Sequence, residues 1–195
     1  MAEIVISVLL IIITVLVSKQ FLSLGVRGIC VVAILVALAS AGRTLFLSIP
    51  SVQPASFIIM LCGATFGGPA GFFCGMLTAV VSNLFAGLGP WTFYQMFFWG
   101  LMGLFARKPL RSKLWVRVVY GFAWGFIFGW GMNLWGLFYG IIPMKPGAFI
   151  TSCVLSFNFD LAHAVTNAAL IAAFSGWTTK LLDKLSPPNS GSERR

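Results

Sequence analysis

The sequence predicts an all-α, polytopic membrane helix bundle. The 195 residues are 59% hydrophobic and only 9% charged, whereas soluble domains carry about 25% charged residues. The apolar residues run in continuous blocks, unlike the short alternating segments of a β-barrel. The breaks between blocks are Pro/Gly turns of the kind that end one helix and start the next.

Seven helical segments are expected, at 4–18, 26–46, 55–67, 69–87, 92–106, 115–140 and 149–182. The first has no basic region before it and no small-residue cleavage site after it, so it reads as a retained helix and not a signal peptide. "IPSVQP" (49–54) carries two prolines and separates the second segment from the third. "GGP" (67–69) allows only a very tight turn into the fourth. "GLGPW" (87–91) places Pro90 and Thr92 at a helix start. "IIPMKPG" (141–147) isolates the last segment, and "SPPNSGSERR" (186–195) has the composition of a disordered tail. A full crossing takes about 20 residues. The shorter third to fifth segments must therefore tilt, pack inside the bundle or line a cavity. The expected organisation is an N-terminal helix with its link (1–25), a transmembrane bundle (26–185) and a cytoplasmic tail (186–195).

The formal net charge is +9. Seven crossings place every Lys and Arg except Arg43 and Lys145 on one face. These residues are Lys19 and Arg27, the run from Arg107 to Arg117, and the basic residues of 180–195. The positive-inside rule then sets the N-terminus outside and the C-terminus in the cytoplasm of a plasma-membrane protein. The charge is topological, and no nucleic-acid partner is expected. Loops 47–54, 87–91 and 141–148 face outward.

The cysteines, Cys30, Cys62, Cys74 and Cys153, lie in apolar segments with no CxxC and no histidine at metal spacing. They read as small buried hydrophobes, with neither a disulfide framework nor a metal site. No cofactor is expected.

Small residues recur every four positions in three segments: Ala33, Ala37 and Ala41; Gly71, Gly75 and Ala79; Gly121, Gly125 and Gly129. This spacing lets helix backbones approach closely in lipid. The glycine stripes read as packing within the chain. The alanine stripe suits either internal packing or contact with another membrane protein.

"FNFDLAHAVTNA" (157–168) places the single histidine, His163, three residues after Asp160 inside an apolar segment. A helix turns about 100° per residue, so Ser156, Asp160, His163 and Asn167 share one stripe and Asn158 points away. A charge in hydrocarbon costs about 2.5–3.5 kcal/mol on insertion scales, and such groups face the bundle interior. Arg43 is the expected partner of Asp160, projecting roughly 120° from the alanine stripe. Asn83, Gln95 and Asn133 are further interior candidates, with Trp91, Tyr94, Trp99 and Trp135 as flat apolar walls. This set suits a structural Arg43–Asp160 pair, an outward-facing ligand pocket, a proton relay or an enzyme using His163. There is no HExxH, no phosphate loop and no evident triad nucleophile, and a relay needs titratable groups across the membrane. No enzymatic activity is expected.

The stretch 41–106, with "AGR…IP…P…GPWT…Q", resembles the substrate-binding S components of energy-coupling factor (ECF) vitamin transporters. "FNFDLAHAVTNA" resembles the last-helix motif of one subgroup, and the resemblance covers about residues 28–182. Ala33, Ala37 and Ala41 match the AxxxA pattern by which these proteins dock on a transmembrane T component. The resemblance implies capture of a vitamin or vitamin precursor (cobalamin or a corrinoid for this subgroup) from outside, under lid loops that correspond to 47–54, 87–91 and 141–148. It implies partnership with a T component and two cytoplasmic ATPases, whose work topples the S component and releases substrate inside. The chain has no ATP-binding motif of its own. The family has six helices, so the expected fold is a six-helix S-component-like core plus one extra N-terminal helix. The competing expectation is an autonomous ion- or proton-coupled carrier.

Overall fold

The computed structural model describes residues 2–185 except Pro146. The tail expected at 186–195 lies outside the described residues. Every element found is a helix: α1 (Ala2–Leu22), α2 (Gly25–Leu45), α3 (Ala55–Phe66), α4 (Gly68–Ala86), α5 (Trp91–Leu104), α6 (Arg107–Leu110), α7 (Leu114–Phe138), α8 (Ala148–Leu155), α9 (Phe157–Ala173) and α10 (Ser175–Leu185). The first six expected segments correspond to α1–α5 and α7. The seventh does not stay whole. It divides at Ser156 and Phe174, and α8 meets α9 at 55°. Ser156 is a polar residue where the ladder breaks, and its hydroxyl serves Asn133 and Asp160. Side chains that engage neighbours at such points are a recognised cause of kinks.

α3 is the centre of the bundle. Nearly all of it is buried, from Ala55 to Thr65, and α2, α4, α5, α9 and α10 pack around it. Its 12 residues rise only about 18 Å at 1.5 Å each, short of a roughly 30 Å hydrocarbon core. Three helices, α1, α2 and α4, are long and apolar enough to cross a membrane, and α8–α9 makes a fourth if the bent pair crosses as one. The 25-residue α7 is not among them; its glycines, tryptophans and Asn133 dilute its hydropathy. The described residues are thus compatible with a multi-pass membrane protein. The seven expected crossings exceed what length supports, because α3 and α5 have 12 and 14 residues.

Backbone contact holds the bundle together. A Cβ on Gly71 would fall on the Gly103 backbone, one on Gly103 would fall on Gly71, and one on Gly75 would meet the Trp99 carbonyl. α4 and α5 therefore touch main chain to main chain. α7 also approaches α9 closely, with main chain met at Gly125 and side chains at Gly121 and Gly129. Gly121 faces Ile171 and Asn167, Gly125 faces the Ala164 backbone, and Gly129 faces the Asp160 carboxylate. Both glycine stripes are internal packing, as expected. Gly67, with φ at 99°, makes the turn between α3 and α4, in a left-handed region that a side chain disfavours.

The alanine stripe behaves differently. α2 buries Val32, Val36, Ala39 and Ser40, while Ala33, Ala37 and Ala41 are exposed. Cys30, one turn before Ala33, is exposed too, contrary to the expectation that all four cysteines are buried. α1 does not cover this face. It packs on α4 and α5, with Phe21 stacked on Phe73 at 4.3 Å. Ala37 and Ala41 border an apolar groove of about 480 Å³ with Val81 and Phe85 of α4.

The basic turn after α5 closes one end of the bundle. There Arg111 Nε donates to the Ala64 carbonyl at 3.0 Å, beside the Gly67 turn. Loop 47–54 and the α4–α5 and α7–α8 connections gather at the other end. Ser51 and Gln53 share a cavity with Asn133 and Asp160, and Trp91 meets Trp135 edge-on at 5.5 Å.

Thermal melting in detergent checks the α4–α5 contact. Gly103→Ala puts a methyl into the Gly71 main chain and is expected to cost about 1–3 kcal/mol or more by overpacking. Gly176→Ala, in open space on α10, is expected to be neutral or to stabilise by up to about 1 kcal/mol. Equal melting points for the two variants would contradict the backbone contact.

Candidate functional site

Two polar clusters form inside the bundle. The first joins α2, α4 and α5. Arg43 Nη1 donates to Ser82 Oγ at 2.6 Å and to Asn83 Oδ1 at 2.5 Å. Asn83 Nδ2 donates in turn to Thr92 Oγ1 at 2.8 Å and to Gln95 Oε1 at 2.7 Å. Asn83 is fully buried and Gln95 nearly so. Its amide is saturated, accepting the guanidinium on one side and donating twice on the other. Satisfied networks of this kind rigidify an apolar interior.

The second cluster joins α3, α7 and α9. Asn133 Nδ2 donates to Ser156 Oγ at 2.9 Å, and Ser156 donates to Asp160 Oδ2 at 2.8 Å. Ser56 Oγ lies 2.7 Å from His163 Nε2, a bond that either tautomer of the ring can make. Phe128 meets the His163 ring edge-on at 5.4 Å. Asp160 and His163 are almost completely buried, and Asn158 is exposed. The polar stripe on this helix is thus as expected.

Trp99 links the clusters. Its Nε1–H donates to Ser56 Oγ at 3.2 Å. Its ring stacks on Phe128 at 5.0 Å, and the Arg43 guanidinium lies over it at 5.1 Å, within cation–π range. The expected Arg43–Asp160 pair is absent. Arg43 is bonded instead to acceptors on α4 and lies over the Trp99 ring. Among the described residues Asp160 forms no ion pair.

A cavity of about 200 Å³ opens on the second cluster. Asn133, Asp160 and His163 line it, with Phe128, Phe159 and Ser156. Ser51 and Gln53 of loop 47–54 line it as well. The other expected site residues sit elsewhere. Arg43, Asn83 and Gln95 belong to the first cluster and do not line the cavity. Tyr94 is fully buried on α5, and Trp91 packs on Trp135. Asn167 donates to the Gly121 carbonyl at 3.1 Å, so it fastens α9 to α7. Ser56, Gln53 and Phe128 were not expected. Gln53 precedes Pro54 and Ser56 follows it by two residues, where a polar residue reads equally well as part of a turn or helix start. Among the described residues no three His, Cys, Asp or Glu side chains converge as a metal site would require.

The two substitutions Trp99→Phe and Trp99→Ala separate the roles of this side chain. The first removes the indole donor and keeps the stack, and should cost about 1 kcal/mol. The second opens a cavity between the clusters and should cost about 3–5 kcal/mol. Melting points that fall equally for both would contradict the stacking role.

No known family model, curated protein or solved structure matches the chain, so its own geometry carries the functional reading.

Proposed function

We propose that the chain is the substrate-binding S component of an ECF-type importer, resident in the plasma membrane with its N-terminus outside and its C-terminus in the cytoplasm. One observation carries the reading: α2 turns Arg43 into a satisfied polar interior while leaving Ala33, Ala37 and Ala41 uncovered. A smooth alanine face suits close backbone approach by a second membrane helix, here that of the T component. The polar interior, with its small cavity under loop 47–54, suits capture of a vitamin or vitamin precursor. Two cytoplasmic ATPases supply the work of release, and the chain itself performs no chemistry on its cargo. α1 is an accessory helix that leaves the docking face open.

The cavity bears on the cargo. At about 200 Å³ it is smaller than the roughly 300–1,000 Å³ of drug-sized ligand sites. A small cargo fits it as it stands. A corrinoid requires loop 47–54 to withdraw.

Replacing Ala37 with Trp should abolish ATP-dependent uptake while leaving equilibrium binding of the co-purifying molecule within about twofold, a change below 0.5 kcal/mol. Equal loss of binding and uptake would return the stripe to a packing role. Uptake by proteoliposomes containing this chain alone would replace the reading with an autonomous ion- or proton-coupled carrier.

A further inference from the structure

Among the described residues Asp160 has no counter-charge. It is 4% exposed, and its Oδ2 accepts only from the neutral Ser156 hydroxyl. Its Oδ1 receives no protein hydrogen bond among the described residues, and the side chain lines the cavity under loop 47–54. Among the described residues no Lys or Arg lines that cavity. The cation nearest in the sequence pattern, Arg43, is taken up by Ser82, Asn83 and the Trp99 ring. His163 turns its Nε2 to Ser56 and makes no ion pair with Asp160.

A nearly buried carboxylate without an opposite charge costs several kcal/mol. The protein spends three groups on keeping it there. Ser156 donates to it, Asn133 fixes Ser156, and Gly129 leaves the space its carboxylate occupies. Phe128, Phe159 and Met132 supply the apolar part of the wall. A carboxylate beside aromatic rings attracts positive charge by ion pairing and by the ring quadrupole. An anionic occupant would meet the Asp160 charge with no cation to offset it.

We propose that the cavity under loop 47–54 takes a small organic cation, such as a quaternary ammonium or protonated amine, with Asp160 as counter-ion and Phe128 and Phe159 as its aromatic walls. This rests on reading the cavity as an outward-facing ligand site, and it narrows the cargo to molecules bearing a positively charged nitrogen. Ser51 and Gln53 would add neutral oxygens that accept from N–H groups without competing for the charge.

The test is titration calorimetry of the chain in lipid nanodiscs with tetramethylammonium chloride, against sodium chloride at equal ionic strength. Saturable one-to-one binding is expected. Asp160→Asn should weaken it at least tenfold, and Asp160→Glu, which keeps the charge, should recover most of it. Equal affinity in Asp160→Asn overturns the proposal. So does the absence of saturable binding to wild-type protein that still melts cooperatively. A thermal-shift panel of neutral, anionic and cationic small molecules separates this failure from that of the underlying reading. Stabilisation by a neutral or anionic molecule alone removes the cation and keeps the ligand site. Stabilisation by none removes both.

Discussion

The interior of this bundle depends on one indole. Trp99 is fully buried, donates to Ser56 on α3, stacks on Phe128 of α7 and carries the Arg43 guanidinium of α2 on its face. Lipid offers no hydrogen bonds, so each polar group inside a membrane protein must find its partner within the protein. Trp99 meets that requirement from the edge and from the face at once. It lets a guanidinium and a carboxylate occupy one interior without touching. The first is taken up by amides and hydroxyls. The second is left facing a cavity.

The glycine seams make this arrangement possible. Trp99 sits on a helix whose backbone presses against α4, and Gly75 and Gly100 leave the room for that close approach. The carbonyl of Trp99 abuts Gly75, and Gly100 lies against the Phe72 ring. The same close approach brings Asn83 of α4 within reach of both Thr92 and Gln95 of α5. On the other side of the bundle, Gly129 makes space for the Asp160 carboxylate. Helix packing and site geometry are thus one constraint. The residues that close the backbone distances also place the polar groups.

Much of this was legible in the sequence. Pro/Gly turns marked the helix limits to within a few residues, and four-residue glycine spacing identified two closely packed helix seams. A 100° projection put Asp160, His163 and Asn167 on one buried stripe and Asn158 outside it. What stayed hidden is what a projection cannot hold. It gives a direction and not a neighbour, so it aimed Arg43 inward without showing that Ser82 and Asn83 stand closer than Asp160. Ser156, where the last segment breaks, is bonded to Asn133, which is distant in sequence. Ser56 joins Trp99 to His163 only because α3 is central. Whether Asn167 lines a cavity or fastens two helices also depends on the packing of α7, and it fastens them.

The central claim is that the second polar cluster exists to hold a small molecule. Native mass spectrometry of the chain, ejected from detergent after purification from its membrane, addresses it most directly. Wild-type protein should carry one small organic molecule per chain. Gly129→Ala, whose methyl would displace the Asp160 carboxylate, should keep its fold and emerge bare. A wild-type chain as bare as the variant, or a variant as loaded as the wild type, would contradict the account.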